Sequence, residues 1–340
     1  MKVLKVLLST VLALTLLVGC GKEERTLVIA SPNSDTEIDN IIPAFEEKTG
    51  IKVEVLSMGT GECTSRLDAE KANPTIDVMF GGVNLGVVTQ FPDIFQEYDS
   101  PNETKIDKAY QTEHGKFSNY MLSGSGCLIL NNKEIEKLGL TGQINGYEDL
   151  LNPKLKGKIA AGDPTKSSSA WAELTNMLLV MGDKAYDDKA WQYVEKFITQ
   201  LDGIQLDSSS KIYKGVSQGE YAVGVSYEDP CVALVQDGAD VTVVYPEEGA
   251  VWLPTGTAIV KDCKNVDEAK EFVDFLLSDE CQQIISKLTI RGTNTTITPT
   301  NQYMKPMSEI KVAVEDLEFT AQNKTAWQQK YADLKAKIDS

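Results

Sequence analysis

The feature that most limits the fold of this chain is an alternation that begins at Thr26. Short apolar runs and helix-period segments follow one another, joined by loops of small polar residues. "TLVIAS" reads as a buried strand, Ser31 to Asp35 as a polar turn, and the next stretch as a helix reaching about Lys48. "IKVEVLSMG" alternates apolar and polar residues with the period of a half-buried strand. "ECTSRLDAEKAN" then carries a helical pattern and "IDVMFGG" ends on a strand. This order, with short connections, predicts an α/β fold built on a mostly parallel sheet covered on both faces. The rhythm continues with "GCLILNN", "GKIAAGDP", "YAVGVSY", "VTVVYPEEG" and "WLPTGTAIVKD" as strands. "SSSAWAELTNMLLVMG", "DKAWQYVEKFITQLDG", "SSKIYKGVSQGE", "VDEAKEFVDFLLS" and "DECQQIISKL" read as helices, and the chain from Met307 onward is helical with a polar face.

The N-terminus sets the compartment. "MKVLKVLLSTVLALTLLVGC" has two lysines, an apolar run from Val6 to Val18, and Gly19 before Cys20, which is the anatomy of a secretory signal. The run is shorter than the roughly 20 apolar residues a bilayer span needs. Leu17-Val18-Gly19-Cys20 resembles the bacterial lipobox, which predicts a lipid on Cys20 and a chain tethered outside the cytoplasm. The roughly 320 residues beyond it exceed what one core usually supports, so two lobes are expected. A net charge of −17 would be repelled by nucleic-acid phosphates and gains nothing from anionic lipid, so the lipid alone must do the anchoring.

Cysteine and histidine usage narrows the chemistry further. Cys63, Cys127, Cys231, Cys263 and Cys281 follow the lipobox cysteine, without any C-x-x-C, and His114 is the single histidine. A Cys/His metal site is therefore not expected, nor is a cofactor. Cys263 and Cys281 flank one predicted helix and form the more natural disulfide candidate.

Catalytic motifs fail on context. "GVSQG" from Gly215 matches a nucleophile elbow, but its serine falls late in a helical segment and the histidine lies upstream of it. No phosphate-binding G-x-x-x-x-G-K-[ST] is present, so the chain does not carry its own ATPase. The acidic residues are numerous enough for carboxylate pairs to arise by chance, which leaves a carboxylate-dependent extracellular enzyme as a minor alternative. What recurs instead is a loop design. Ser31 follows the first strand, Thr60 and Gly61 the second, and Gly81 and Gly82 the third. Ser123 to Gly126 precede "CLILNN", and Ser167, Ser168 and Ser169 open a helix. At the carboxyl ends of parallel strands such loops meet ligands, and free helix-start amides with hydroxyls favour an oxyanion or other polar group. Each could equally be a helix cap.

Taken together, the lipobox, "GTGE…RLDAEKANPTIDVMFGG", "GDPTKSSSAW", "SQGEYAVGVSY" and "FVDFLLSDECQQII" resemble the solute-binding lipoproteins of bacterial ABC importers. The likeness is to the ferric-ion, phosphonate, hexose-phosphate and thiamine branch and covers essentially the whole mature chain. It implies a two-lobe periplasmic-binding-protein-like (type II) fold with two hinge crossings, a monomer that closes on a small solute and passes it to a permease and its ATPase subunits. By that likeness residues 26–119 with 257–299 form one lobe, 120–256 the other, and 300–340 a C-terminal helical segment packed nearby. Thr60, Gly61, Glu62, Gly81 and Gly82 match the ligand loops of the first lobe. Ser167, Ser168, Ser169, Ser226, Tyr227, Glu228 and Asp229 match those of the second. Ferric-ion members carry two adjacent tyrosines where this chain has Tyr227 followed by Glu228-Asp229-Pro230. That departure favours a phosphonate, organophosphate or related zwitterion, with Glu62, Glu228 and Asp229 taking its ammonium or hydroxyl groups. A ferric ion or ferric chelate is the alternative. Thiamine would require aromatic faces, which Tyr227 and Trp252 could supply.

Overall fold

The computed structural model describes residues 25–112 and 115–340; the signal-like leader, Cys20 and His114 lie outside the described residues. The first third alternates as its pattern predicts: β1 (Thr26–Ser31), α1 (Asp35–Thr49), β2 (Lys52–Ser57), α2 (Thr60–Glu70), β3 (Val78–Val83) and α3 (Leu85–Gln90). The middle holds β4 (Ser118–Asn131), α4 (Asn132–Lys137), β5 (Ile159–Gly162), α5 (Ser168–Val180), α6 (Asp188–Leu201), β6 (Gln205–Leu206), α7 (Ser209–Ser217), β7 (Val223–Tyr227) and α8 (Glu228–Gln236). The last part comprises β8 (Val241–Val244), β9 (Ala250–Ile259), α9 (Val266–Leu276), α10 (Asp279–Ile285), β10 (Arg291–Gly292), β11 (Val312–Ala313) and α11 (Leu317–Asp339).

Local sequence explains where the early helices begin and end. Ser34 precedes α1 with extended dihedrals, Asp35 and Glu37 occupy its positive first turn, and Gly50 closes it in the left-handed conformation at φ 72°. Along the sheet the strands run β2-β1-β3-β9-β4-β7-β5-β6. β2, β1 and β3 are mutually parallel, as are β7, β5 and β6. Between these triplets lie β9 and β4, antiparallel to each other and to their outer neighbours. This antiparallel pair carries the chain between the two larger hydrophobic cores, with smaller clusters around Cys127 and Trp252 beside it.

The first core joins residues from β1 to Met121 with residues from Ala258 to Ile290. Its centre is aromatic: Phe45 and Phe80 both meet Phe272 edge-on, with centroids 5.0 and 5.2 Å apart. The second core is built around α5 and α6 and includes Trp327 and Tyr331 of α11. Trp327 is keyed among Trp171, Tyr186, Trp191 and Phe319. Thus α11 belongs physically to the second lobe, yet it also reaches α3 of the first. No helix among the described residues is long and apolar enough to cross a membrane.

Two sequence expectations need correction here. Ser123-Gly124-Ser125-Gly126 is not a loop but the middle of β4, where Ser123 pairs with Leu253 of β9. The glycines serve packing: a Cβ on Gly124 would fall 2.7 Å from the Trp252 indole nitrogen, and one on Gly126 would fall 2.3 Å from the Tyr147 hydroxyl. Cys263 and Cys281 are not bonded to each other. All five described cysteines are buried free thiols. The helix that the two flank is α9, about 16 Å long, too great a span for the narrow Cα separation of a disulfide.

Candidate ligand-binding cleft

Between the two cores lies a cleft of about 500 Å³. Three helix starts open onto it. α2 begins after Gly59, which has extended dihedrals and no side chain to cap it, so Thr60 and Gly61 present unsatisfied backbone amides beside the Thr60 hydroxyl. α5 begins after Ser167, whose Oγ accepts from the Ala170 amide at 3.3 Å, while Ser168 and Ser169 line the cleft beyond it. α7 begins after Ser208, and both Ser208 and Ser209 line the same space. Phe91, Trp171 and Tyr227 supply aromatic wall, and Gln90 and Gln328 supply amides.

The charges on these walls are few and decisive. Lys166 is paired with Asp163 at 3.5 Å, and that carboxylate also accepts from the Thr165 amide at 2.9 Å. Asp207 is paired with Lys211 at 2.7 Å, a bond that lowers its pKa. Lys324 of α11 lies 5.8 Å from the centroid of the Trp171 ring and has no carboxylate partner among the described residues. Surrounding protein lowers its pKa, although solvent still reaches the ammonium. The cleft therefore carries a positive excess inside a chain of net charge −17.

Six of the residues singled out from sequence line this cleft: Thr60, Gly61, Ser167, Ser168, Ser169 and Tyr227. The others lie elsewhere. Ser31 is buried and donates to the Phe80 carbonyl at 2.7 Å. Gly81 and Gly82 lie at a bulge of β3 with φ of 91° and 72°. A Cβ there would collide with Asn33 and with Thr60 Oγ1, so the pair makes room for its own lobe's loops. Glu62 is exposed in the first turn of α2, outside the cleft wall, and Ser123 is within β4. Ser226 is fully buried and its Oγ has no hydrogen-bond partner.

Glu228 and Asp229 open α8, but their carboxylates face the hinge and not the cleft. Arg291 forks onto Glu228, Nε to Oε2 at 2.9 Å and Nη2 to Oε1 at 2.6 Å. The Tyr245 hydroxyl and Trp252 indole donate to the same carboxylate at 2.6 and 3.1 Å. Each oxygen of Glu228 is thus doubly engaged, and Arg291 further donates to the Lys305 carbonyl at 2.7 Å. Asp229 accepts from Thr289 and is buried, which raises its pKa. Across the lobe boundary stands Glu37, whose pKa burial and the neighbouring Asp229 push up to about 8. The Ser34 hydroxyl lies between these two carboxyls.

Sequence reasoning missed Lys166, Trp171, Ser208, Ser209, Lys324 and Gln328. A signal existed for Ser208 and Ser209: "DSSSK" repeats, at another helix start, the serine run that singled out Ser167 to Ser169. Lys324 and Gln328 share a face of α11 by their four-residue spacing, yet nothing local distinguishes that face from an ordinary solvated one.

A two-lobed α/β body with a polar cleft, its lobes linked by an antiparallel strand pair, has the form of a solute-binding protein. Residues 40–336 match the family model described as bacterial extracellular solute-binding protein, and the chain belongs to that family. A Haemophilus influenzae protein is 28% identical over 79% of this chain and 78% of its own length. A Salmonella typhimurium periplasmic protein, provisionally named for 2-aminoethylphosphonate binding, is 23% identical over 77% of this chain and 75% of its own. Iron uptake protein A1 of Synechocystis is 25% identical over 82% and 81%. The periplasmic binding protein AfuA of Actinobacillus pleuropneumoniae, solved with exogenous fructose-6-phosphate bound, superposes with a TM-score of 0.79 at 26% identity, covering 92% of this chain and 98% of that one. The type II periplasmic-binding-protein fold implied by the sequence resemblance is the fold observed.

Proposed function

We propose that this chain is the receptor of an ABC importer for a small organic anion carrying a phosphate or phosphonate group. The observation that carries the reading is the cleft's make-up: hydroxyl-lined helix starts on both lobes, with Lys324 as its unpaired charge. Helix-start amides and hydroxyls suit the oxygens of such a group. The cleft's one carboxylate, that of Asp207, is already held by Lys211, so an ammonium group on the solute finds no free acidic partner there. The fructose-6-phosphate of AfuA and the aminoethylphosphonate name of the Salmonella relative point to the same class. A bare ferric ion is supported less, since Tyr227 is the single phenol in the cleft lining and no group of three or more His, Cys, Asp or Glu residues placed to hold a metal occurs among the described residues.

In this reading the receptor is monomeric and non-catalytic, and is held to the cell membrane by a lipid on Cys20. Residues 26–119 with 257–299 and residues 120–256 swing about β4 and β9, and Ser167 to Ser169 and Thr60 approach the solute from opposite sides. Thermal unfolding of the chain from Gly21 against fructose 6-phosphate, 2-aminoethylphosphonate, thiamine monophosphate and ferric citrate tests it. A solute at a hundred times its dissociation constant adds about 2.7 kcal/mol, a rise of about 4 °C for a chain this long. A rise with ferric citrate alone would overturn the organic-anion reading.

A further inference from the structure

We propose that Lys324, delivered by the C-terminal helix α11, is the specificity-determining residue that reads the solute's negative charge. The inference rests on the anion-receptor reading above and adds to it the group responsible and the element that carries it. Three observations point to this lysine. It lines the cleft together with Gln328, one helical turn further on, and stands over Trp171 of α5 at 5.8 Å. The other lysine in the wall, Lys166, is already paired with Asp163 on its own loop at 3.5 Å. Lys324 has no acidic partner among the described residues, and its side chain stands against the cleft wall while remaining open to solvent, so its ammonium is free to take a negative group.

The position of α11 gives this charge its leverage. Trp327, three residues after Lys324, locks the helix into the second core between Trp171 and Trp191. On its other side α11 reaches α3, whose Val87 and Gln90 line the opposing wall of the cleft. A phosphate oxygen bonded to Lys324 would therefore lie beside the start of α5 and within the space that α3 closes. Lys330 is a natural comparison on the same helix: its ammonium stands 4.3 Å from the Trp191 ring, outside the cleft.

Titration calorimetry of fructose 6-phosphate, 2-aminoethylphosphonate and uncharged fructose, on the native chain and three variants, tests the proposal. Lys324→Gln should weaken the phosphorus-bearing probe that the native chain binds by about 10- to 100-fold, the range for a hydrogen bond to a charged group. Lys324→Arg should recover most of that loss, and Lys330→Gln should change affinity by less than about twofold. The melting temperature of Lys324→Gln should stay within about 2 °C of that of the native chain, since all that is lost is an exposed contact over Trp171. Unchanged affinity in Lys324→Gln would overturn the proposal while leaving the receptor reading intact. So would an equal loss in Lys330→Gln, which would mark a diffuse field and not a contact. A fall in melting temperature well beyond about 2 °C would mark a structural role and overturn it too. If the native chain binds fructose as tightly as fructose 6-phosphate, the anion reading itself fails and this inference with it.

Discussion

The two lobes bury polarity in opposite ways. In the first, the buried carboxylate of Asp77 is fully occupied by its own lobe, accepting from the Val28 amide and from both the amide and side chain of Asn265. Its core is a T-shaped aromatic stack, and its cleft wall offers backbone, Thr60 and Gln90, all neutral. The first lobe's Glu37, at the boundary, and the second lobe's Glu173 are both buried acids held largely protonated, so the contrast lies in the groups around the cleft and hinge. Glu173 is buried in α5 with its Oε1 unbonded, and burial pushes its pKa up to about 8. Glu228 takes two donors from its own lobe, Tyr245 and Trp252, and completes its shell with an arginine from the far side of the hinge. Lys324 has no acidic partner among the described residues. On the proposed reading, the difference places charge recognition on the second lobe's Lys324, while the first lobe's cleft wall contributes neutral groups.

The comparison breaks most visibly at Arg291. Arg291→Met leaves Glu228 buried with an uncompensated charge and should cost about 3–5 kcal/mol in urea denaturation. Arg291→Met combined with Glu228→Gln should recover much of that loss; if it does not, the guanidinium packing over Trp252 matters more than the ion pair.

Next comes the pH dependence set by Glu173. In the unfolded chain its carboxyl ionises near 4.5, whereas the folded chain holds the proton to about 8. Between those values the unfolded chain binds fewer protons, so this group's contribution is fully present below about pH 4.5 and is lost as pH rises toward 8. Glu173→Gln should reduce the stability difference between pH 5 and pH 8 by on the order of 1–3 kcal/mol. Glu37 titrates over the same window across the lobe boundary, and Glu37→Gln should flatten the remaining slope. An unchanged profile in both variants would show that the carboxyls find water or partners in solution.

The smallest effects separate the two walls of the cleft. Ser167→Ala removes a working helix cap and should cost about 1 kcal/mol of stability in addition to affinity. Thr60→Ala removes a hydroxyl with no capping duty, because Gly59 stands at that position. It should leave stability within about 0.5 kcal/mol and weaken fructose 6-phosphate by about 2- to 10-fold in calorimetry. Equal stability losses in the two would erase the asymmetry.

Much of the architecture was legible because it is local. Period-two and helical patterns gave the strands of the first parallel triplet and β5 and β7 of the second, though not the two-residue β6, and Ser167 betrayed itself as a serine at the head of an apolar helix. What escaped was set by partners distant in sequence. Gly81, Gly82, Gly124 and Gly126 look like ligand loops, but their missing side chains accommodate Asn33, Thr60, Trp252 and Tyr147. Glu228 looks available until Arg291, 63 residues later, folds back onto it. Lys324 reads as an ordinary surface lysine until Trp327 seats its helix against α5 and α6. A small residue or a charge states what a position permits; the fold alone decides which neighbour uses the permission.

The β4–β9 pair has a mechanical consequence. Its backbone hydrogen bonds run from Ser118–Thr257 to Ser125–Val251, with one register shift between Asn119 and Met121. The two lobes are therefore joined by a woven strip and not by free strings. Such a strip resists stretching and shear but yields to twist, and the register shift marks its softest point. Opening should then behave as a torsion spring: a rotation of modest amplitude about one axis, elastic, and repeatable for every molecule of cargo without any strand leaving its neighbour.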